Sequence, residues 1–335
     1  MRAVVVQGPR RLAVEKVADP TPEAGQVVLR VSACGICGSD LHLHQAGLLP
    51  SGAIMGHEFC GEVVEGAGEL RSGDRVCALP TLSCGRCARC QSGLGAYCAT
   101  QRPLGFGRAA GAYAEYVAVA AHEVVRLPDG VDDERAALVE PLAVGLHAAQ
   151  VARVRPRETC LVIGAGPIGL AITLWARELG AGEVIVSERA AGRRAMAERL
   201  GATRVVDPER EELGAVLARS APDGADLVFE AVGAPGLIQQ CIGHVRFRGR
   251  IVVAGVCLVP DTLQPGIAVL KEATVQFAMA YERRDFERTI ELLESGRLEP
   301  AAMITDRIGL DDVPAAFDAL ERPSGQCKVL VRPGR

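Results

Sequence analysis

Four cysteines in the first third of the chain have the types and the spacing of a metal site. Cys84, Cys87 and Cys90 recur at every third position, and Cys98 follows eight residues later. Four thiolates this close together in a reducing compartment fit a closed, tetrahedral structural zinc site. The lobe around them, residues 82–100, has few large apolar side chains, so the metal would supply much of its folding free energy. An iron–sulfur cluster is the competing interpretation, because two-residue cysteine gaps also occur there.

A glycine-rich turn in the middle of the chain indicates dinucleotide binding. It reads GxGxxG with Gly164, Gly166 and Gly169, directly after an apolar run and before a segment with helical periodicity. The three glycines would allow a tight turn, close approach of a pyrophosphate, and close packing of helix on strand, respectively. The helix would begin at Pro167 and Ile168, with free N–H groups facing the anion. The alternative is a glycine turn without a ligand.

Glu188 lies where such sites recognise the adenosine ribose. It follows the second apolar run of this region, about twenty residues after the glycines, and its carboxylate could accept hydrogen bonds from the ribose hydroxyls. The same charge would repel a 2′-phosphate, which favours NAD over NADP. The neighbouring Arg189 could instead pair with a phosphate, so NADP stays open.

A second set of residues that could bind a metal is spread over the first 140 positions. Taken singly, each reads as a buried thiol, a surface histidine or a capping acid. The set is Cys37, Ser39, Asp40, His42, His57, Glu58 and Glu140.

Composition narrows the class of protein. The chain has 335 residues, 49% of them hydrophobic, which is enough for two domains, and a net charge of −4 with scattered basic residues, which argues against a nucleic-acid binder. The first residues lack the features of a secretory signal. The longest apolar stretch, Leu161–Trp175, is interrupted by three glycines and a proline, so it predicts no membrane span. We therefore expect a cytoplasmic protein whose twelve cysteines stay reduced.

The elements that must position these residues change in character near residue 150. Before it, short alternating segments predict a mostly antiparallel region: Ala3–Val6, Gln26–Val31, Gly61–Glu65, Arg75–Ala78 and Ala114–Val119. After it, apolar runs alternating with helical periodicity predict a parallel sheet: Cys160–Gly164, Glu183–Ser187, Arg204–Val206, Asp226–Phe229 and Arg250–Ala254. A helical stretch from Glu282 to Leu293 and a strand at Cys327–Val331 follow.

The order of these features along essentially the whole chain resembles the zinc-containing medium-chain dehydrogenase/reductase family. The subgroup resembled is that of sorbitol, threonine and butanediol dehydrogenases, in which an acidic residue replaces a cysteine as metal ligand. The resemblance implies an α/β protein with a GroES-like, mostly-β catalytic domain (1–150), a Rossmann NAD-binding domain with a doubly wound parallel sheet (151–290), and a return to the catalytic domain (291–335). It also implies a homodimer or homotetramer and two zinc ions per chain.

Carried over residue by residue, the resemblance makes Cys37 and His57 ligands of a catalytic zinc. The third ligand would be Glu58 or Glu140, and this choice stays open. Asp40 would be the carboxylate that orients the His57 imidazole.

The resemblance assigns further roles in proton transfer and cofactor binding. Ser39 and His42 would belong to a proton relay that runs from the zinc-bound oxygen, by way of the nicotinamide ribose, to solvent. Arg193 would lie near the adenosine ribose, and Lys328 near the pyrophosphate.

The implied reaction is hydride transfer between NAD and a secondary alcohol such as a polyol, amino alcohol, sugar or cyclitol. We expect residues 41–49, Glu140 and the loop 256–264 to line the substrate pocket. We also expect the strand at residues 273–280 to pair with its copy in another subunit. The alternatives are an NADP-preferring biosynthetic dehydrogenase, a zinc-free reductase of the same superfamily, and a non-catalytic module that binds zinc and nucleotide.

Overall fold

The computed structural model describes residues 1–321 and 325–334, which form two compact units. The first unit comprises Met1–Glu140, Tyr281–Gly296 and Ile304–Arg335. The second comprises Pro141–Ala280 and Arg297–Met303. The first unit is therefore assembled from segments that lie far apart in the sequence.

Strands dominate the described chain up to Arg126, and strands alternate with helices from Thr159 onward. The strands are β1 (Arg2–Gly8), β2 (Arg11–Lys16), β3 (Gln26–Gly35), β4 (Glu58–Glu65), β5 (Arg75–Ala78), β6 (Thr81–Leu82), β7 (Arg102–Pro103), β8 (Tyr116–Ala120), β9 (Val124–Arg126), β10 (Thr159–Ile163), β11 (Glu183–Ser187), β12 (Arg204–Val206), β13 (Ala225–Glu230), β14 (Val245–Val253), β15 (Thr274–Phe277), β16 (Ile304–Ile308) and β17 (Lys328–Val331). The helices are α1 (Gly38–Gln45), α2 (Ala88–Gln91), α3 (Asp133–Ala136), α4 (Val139–Val151), α5 (Pro167–Glu178), α6 (Ala191–Arg199), α7 (Leu213–Leu217), α8 (Leu237–His244), α9 (Pro265–Leu270), α10 (Arg283–Glu294) and α11 (Val313–Leu320).

The first unit is built around the long strand β3. This strand pairs antiparallel with β4, β8 and β17 in a sheet of order β16-β17-β3-β4-β5-β9. Alternate residues of β3, among them Val27, Leu29 and Val31, are buried in the core of the unit. The mostly antiparallel region predicted from the alternating segments is confirmed.

The second unit is a parallel sheet of order β12-β11-β10-β13-β14-β15. Its strands are continuous apolar runs such as Cys160–Ile163, because helices cover both faces of a doubly wound sheet. The strand order reverses between β10 and β13, and ligands bind at such a switch point in this fold. The predicted parallel sheet is confirmed, and its glycine turn leaves β10 at the reversal.

None of the helices in the described residues combines the length and the apolar character that crossing a bilayer requires.

Candidate active site and cofactor site

Two paired strands bring the candidate catalytic ligands together. β3 ends at Gly35, and Cys37 follows as the N-cap of α1. Gly35 lies opposite Glu58, the first residue of β4, so His57 and Glu58 arrive beside Cys37. The potential ligand atoms of these three side chains lie within 4.8 Å of one another. A thiolate, an imidazole and a carboxylate form a donor set that zinc accepts.

Asp40 lies behind the His57 imidazole, where the sequence predicted it. Its carboxylate is fully buried, with Oδ1 at 3.3 Å from His57 Nδ1. Oδ2 accepts hydrogen bonds from the Cys37 amide at 3.2 Å and from the Tyr113 hydroxyl at 2.6 Å. Burial alone raises the pKa of Asp40, but His57 and these hydrogen bonds together lower it below its ordinary value. An ionised carboxylate therefore faces Nδ1, which leaves Nε2 for a metal.

Glu58 forms a buried ion pair that no pattern in the sequence indicates. Lys328 Nζ donates to both carboxylate oxygens of Glu58, at 2.8 and 2.6 Å, and to the carbonyl oxygen of Ile36 at 3.1 Å. Burial lowers the pKa of a lysine, yet Glu58 raises the pKa of Lys328 above its ordinary value. This placement differs from the expected pyrophosphate contact of Lys328. Its ammonium group lies in the first unit and is committed to three acceptors, so none of its protons is left for a phosphate.

Glu140, the other candidate for third ligand, is buried at the end of the first segment of the first unit. It does not belong to the group formed by Cys37, His57 and Glu58. Burial, followed by the proximity of Glu58, raises the pKa of Glu140 to about 7. The Tyr281 hydroxyl donates a hydrogen bond to it. Of the two glutamates, Glu58 is thus nearer to the other ligands.

Ser39 and His42 both lie on α1, three residues apart and therefore on one face of the helix. Ser39 Oγ is 3.4 Å from His57 Nε2, whereas His42 is exposed. The Phe106 ring lies 4.7 Å from the imidazole of His57. This aromatic contact could not be predicted from the sequence, because nothing in the spacing of Phe106 marks it.

The four lobe cysteines converge around α2 as predicted from their spacing. Cys87 Sγ lies 3.4 Å from Cys90 Sγ and 4.0 Å from Cys98 Sγ, and Cys84 Sγ lies 3.8 Å from Cys90 Sγ. Tetrahedral zinc with Zn–S bonds of about 2.3 Å requires sulfur separations of about 3.8 Å, so the lobe fits this ion. Hydrogen bonds, first from the Thr100 hydroxyl, lower the pKa of Cys98 to about 6, which favours the thiolate.

Each of the three glycine positions of the GxGxxG turn requires glycine for a different geometric reason. Gly164 has a φ of +96°, and a Cβ there would lie 2.4 Å from the Val232 side chain. A Cβ on Gly169 would lie 1.9 Å from the carbonyl oxygen of Gly164. Gly166 caps α5, and a Cβ there would point into open space, where a pyrophosphate can approach the backbone. Pro167 begins the helix, as predicted.

Comparisons with known proteins point to one family. Residues 23–129 match the model of the alcohol dehydrogenase GroES-like domain, and residues 167–295 match that of the zinc-binding dehydrogenase. (R,R)-butanediol dehydrogenase of Bacillus subtilis is 32% identical, with 99% of this chain and 100% of that protein aligned. Sorbitol dehydrogenase of the same organism is 30% identical over 100% of this chain and 98% of its own length.

The chain belongs to the zinc-containing alcohol dehydrogenase family. A solved structure of a zinc-binding dehydrogenase from Sinorhizobium meliloti, bound to NADP, superposes with a TM-score of 0.91 at 33% identity, covering 99% of both chains. The dehydrogenase is thus a zinc-dependent oxidoreductase that combines a GroES-like domain with a Rossmann sheet. The resemblance stated from the sequence, the fold class and the reaction class are confirmed.

Glu188 of the dehydrogenase lies directly after β11, beside the glycine turn. Its carboxylate accepts hydrogen bonds from the amides of Ala165 and Ala190, both at 2.8 Å. Arg193 lies on α6, the next helix, whereas Arg189 is an exposed residue that faces Glu209. Glu188 is therefore held at the turn, with Arg193 close to it in the chain.

Proposed function

We propose that the dehydrogenase transfers a hydride between the carbinol carbon of a secondary alcohol and NAD. The substrate class is a polyol, amino alcohol, sugar or cyclitol. The proposal rests on the group formed by Cys37, His57 and Glu58, with Asp40 behind the imidazole. The butanediol and sorbitol dehydrogenases among its relatives support the alcohol class.

Cys37 and His57 hold the catalytic zinc in this proposal. Glu58 is the third side chain within reach, and Glu140 is the alternative. Zinc bound there supplies a Lewis acid that lowers the pKa of an alcohol hydroxyl. The lobe cysteines hold a second, structural zinc; they are Cys84, Cys87, Cys90 and Cys98.

Ser39 and His42 move the proton that the alcohol loses. Ser39 Oγ is placed beside His57 Nε2, the imidazole atom that faces the metal position. His42 lies one helical turn further on and is exposed, so it can release the proton to water. NAD, when bound, would supply the acceptor for the hydride.

The glycine turn binds the NAD pyrophosphate in this proposal, through the backbone at Gly164, Gly166 and Gly169 and the start of α5 at Pro167 and Ile168. Glu188 accepts hydrogen bonds from the adenosine ribose, and Arg193 lies nearby. An NADP-preferring enzyme is the second candidate, because a related zinc-binding dehydrogenase was solved with NADP.

Replacing Glu188 by alanine is expected to lower the preference for NAD over NADP by about tenfold. The substitution removes both an acceptor for the ribose hydroxyls and a charge that repels the 2′-phosphate, and tenfold corresponds to about one such hydrogen bond. The measurement is the ratio of kcat/KM for the two cofactors at a fixed alcohol concentration. Glu198→Ala on the exposed side of α6 is the control and should leave the ratio unchanged. An unchanged ratio in Glu188→Ala as well would reject the ribose role.

A panel of alcohols and polyols tests the proposed function directly. Protein purified without chelator is mixed with each alcohol and with NAD or NADP, and the absorbance of the reduced cofactor is followed. We expect cofactor reduction with at least one secondary alcohol, faster with NAD, and two zinc ions per chain. Protein that contains no zinc, or that reduces neither cofactor with any panel member, would refute the proposal.

We also propose that the dehydrogenase is a cytoplasmic homodimer or homotetramer. Its domains are predicted to divide after residues 150 and 290, whereas the two compact units divide after Glu140 and Ala280. β15 is one of the two edge strands of the parallel sheet, and its neighbourhood exposes apolar side chains that a second copy would cover. Among them are Leu270, Phe277 and Met279.

A further inference from the structure

Tyr113 is a fully buried tyrosine whose hydroxyl group contacts the catalytic region. Its hydroxyl lies 2.6 Å from Asp40 Oδ2 and 3.3 Å from the carbonyl oxygen of Gly35. A hydroxyl has one proton to donate, and the shorter contact with an ionised acceptor receives it. Hydrogen bonds from a hydroxyl to a carboxylate of about 2.5–2.7 Å are the charge-assisted kind, roughly twice as strong as neutral ones.

This hydrogen bond fixes the rotation of the Asp40 carboxylate. Oδ2 is held by the Tyr113 hydroxyl and, at 3.2 Å, by the Cys37 amide. Oδ1 has no partner in the described chain other than His57 Nδ1, which it faces at 3.3 Å. The terminal torsion of an aspartate has a broad energy well. Without the tyrosine hydroxyl, only the long contact to Cys37 would keep Oδ1 directed at the imidazole.

Tyr113 also supports the backbone that leads into His57. Its amide donates a hydrogen bond to the carbonyl oxygen of Met55 at 2.9 Å. The amide of Ala112 donates one to the carbonyl oxygen of Gly56 at 2.8 Å. Gly56 has a φ of +96°, and a Cβ there would lie 2.7 Å from the Tyr113 ring. The ring thus fills the space beside Gly56 and restricts the direction in which the chain enters His57.

We infer that Tyr113 is a positioning residue for the catalytic metal centre, which holds the His57 imidazole in its metal-binding orientation through the Asp40 carboxylate and through the backbone at Gly56. The inference rests on the proposed function, because it presumes a zinc ion at Cys37 and His57. Tyr113 itself contacts neither the metal position nor His57 through its hydroxyl. The effect of the hydroxyl therefore reaches the metal through Asp40, and the ring and the backbone of Tyr113 act through Gly56.

The test removes the hydroxyl and keeps the ring. Tyr113→Phe is expected to weaken binding of the catalytic zinc by about tenfold, the lower end of the range for partners behind a metal ligand. Zinc is titrated against a chromophoric chelator with no alcohol or cofactor present, and kcat/KM is measured separately and should fall with zinc affinity. The zinc retained by Cys37→Ala defines the lobe ion. Tyr116→Phe, which removes a hydroxyl from β8 without touching Asp40, is the matched control and should match wild type.

A double-mutant cycle separates positioning from general stability. Asp40→Asn removes the charge through which the hydroxyl acts, so Tyr113→Phe should cost little further zinc affinity in that background. Equal losses in both backgrounds would overturn the inference, as would wild-type zinc affinity in Tyr113→Phe with only a lower Tm. Wild-type protein that binds no more zinc than Cys37→Ala would overturn the proposed function itself.

Discussion

Replacing Cys37 by alanine should abolish nearly all cofactor reduction while the chain stays folded. Cys37 supplies the thiolate of the candidate catalytic group, and it lies partly exposed at the N-cap of α1 rather than in the core. Metal-ion catalysis lowers the activation free energy by several kcal/mol. We therefore expect kcat/KM to fall by at least about 1000-fold, which is equivalent to about 4 kcal/mol. The initial rate of cofactor reduction and the zinc content are measured on the same preparation. One zinc per chain should remain, held by the lobe.

The matched control is Cys241→Ala, a buried thiol in α8 outside both cysteine-containing metal groups. It should keep two zinc ions and turnover close to wild type, with a modest loss of stability from the smaller side chain. Circular dichroism verifies that both variants are folded. Turnover close to wild type in Cys37→Ala, at either zinc content, contradicts the assignment.

The second large effect concerns the buried pair of Lys328 and Glu58. Both side chains are only 1% exposed, so Lys328→Met leaves a carboxylate without its counter-charge inside the protein. Breaking such a pair from one side typically costs about 3–5 kcal/mol. We expect the free energy of unfolding in urea to fall by about that amount, with a lower midpoint at unchanged m-value.

The double variant Lys328→Met/Glu58→Gln shows whether the stability is lost because a charge is left unpaired or because the contact itself is lost. It removes the unpaired charge, and we expect it to recover a large part of the stability lost in Lys328→Met. Lys16→Met, on an exposed position of β2, is the control for the loss of a lysine and should change stability by less than about 0.5 kcal/mol. A Lys328→Met protein that is as stable as this control, with zinc removed from both, would mean that Glu58 is uncharged or solvated.

Features encoded by a few neighbouring residues could be predicted from the sequence. The lobe cysteines lie within one short segment, and their spacing alone placed four sulfur atoms together. The GxGxxG turn specifies its own backbone, because Gly164 and Gly169 can only be glycine where the turn meets α5 and Val232. β11 and β12 have the bounds expected from their apolar runs.

Contacts between distant segments could not be predicted in this way. Tyr113 reaches Asp40 across 73 residues, and no pattern around Tyr113 marks it as different from a core aromatic residue. Lys328 was expected at the pyrophosphate because the family resemblance places it there, but pairing of β17 with β3 directs it to Glu58. The predicted strand Gln26–Val31 ends at Gly35 in the structure, since β4 pairs with its whole second half. In each case the position of the residue depends on a partner in a distant segment, and the residue's own segment carries no information about that partner.

The Glu58–Lys328 pair joins residues that are 270 positions apart, and this separation sets an order of events during translation. A ribosome releases Cys37, His57 and Glu58 first, then the entire parallel sheet, and only after that sheet β17 with the lysine that neutralises Glu58. Since domains fold as units as they emerge, the nascent first unit must wait with an unpaired edge of β3 and an uncompensated carboxylate. The Glu58–Lys328 ion pair can accordingly form only after β17 has been made, whereas the four lobe thiols emerge within fifteen residues of one another.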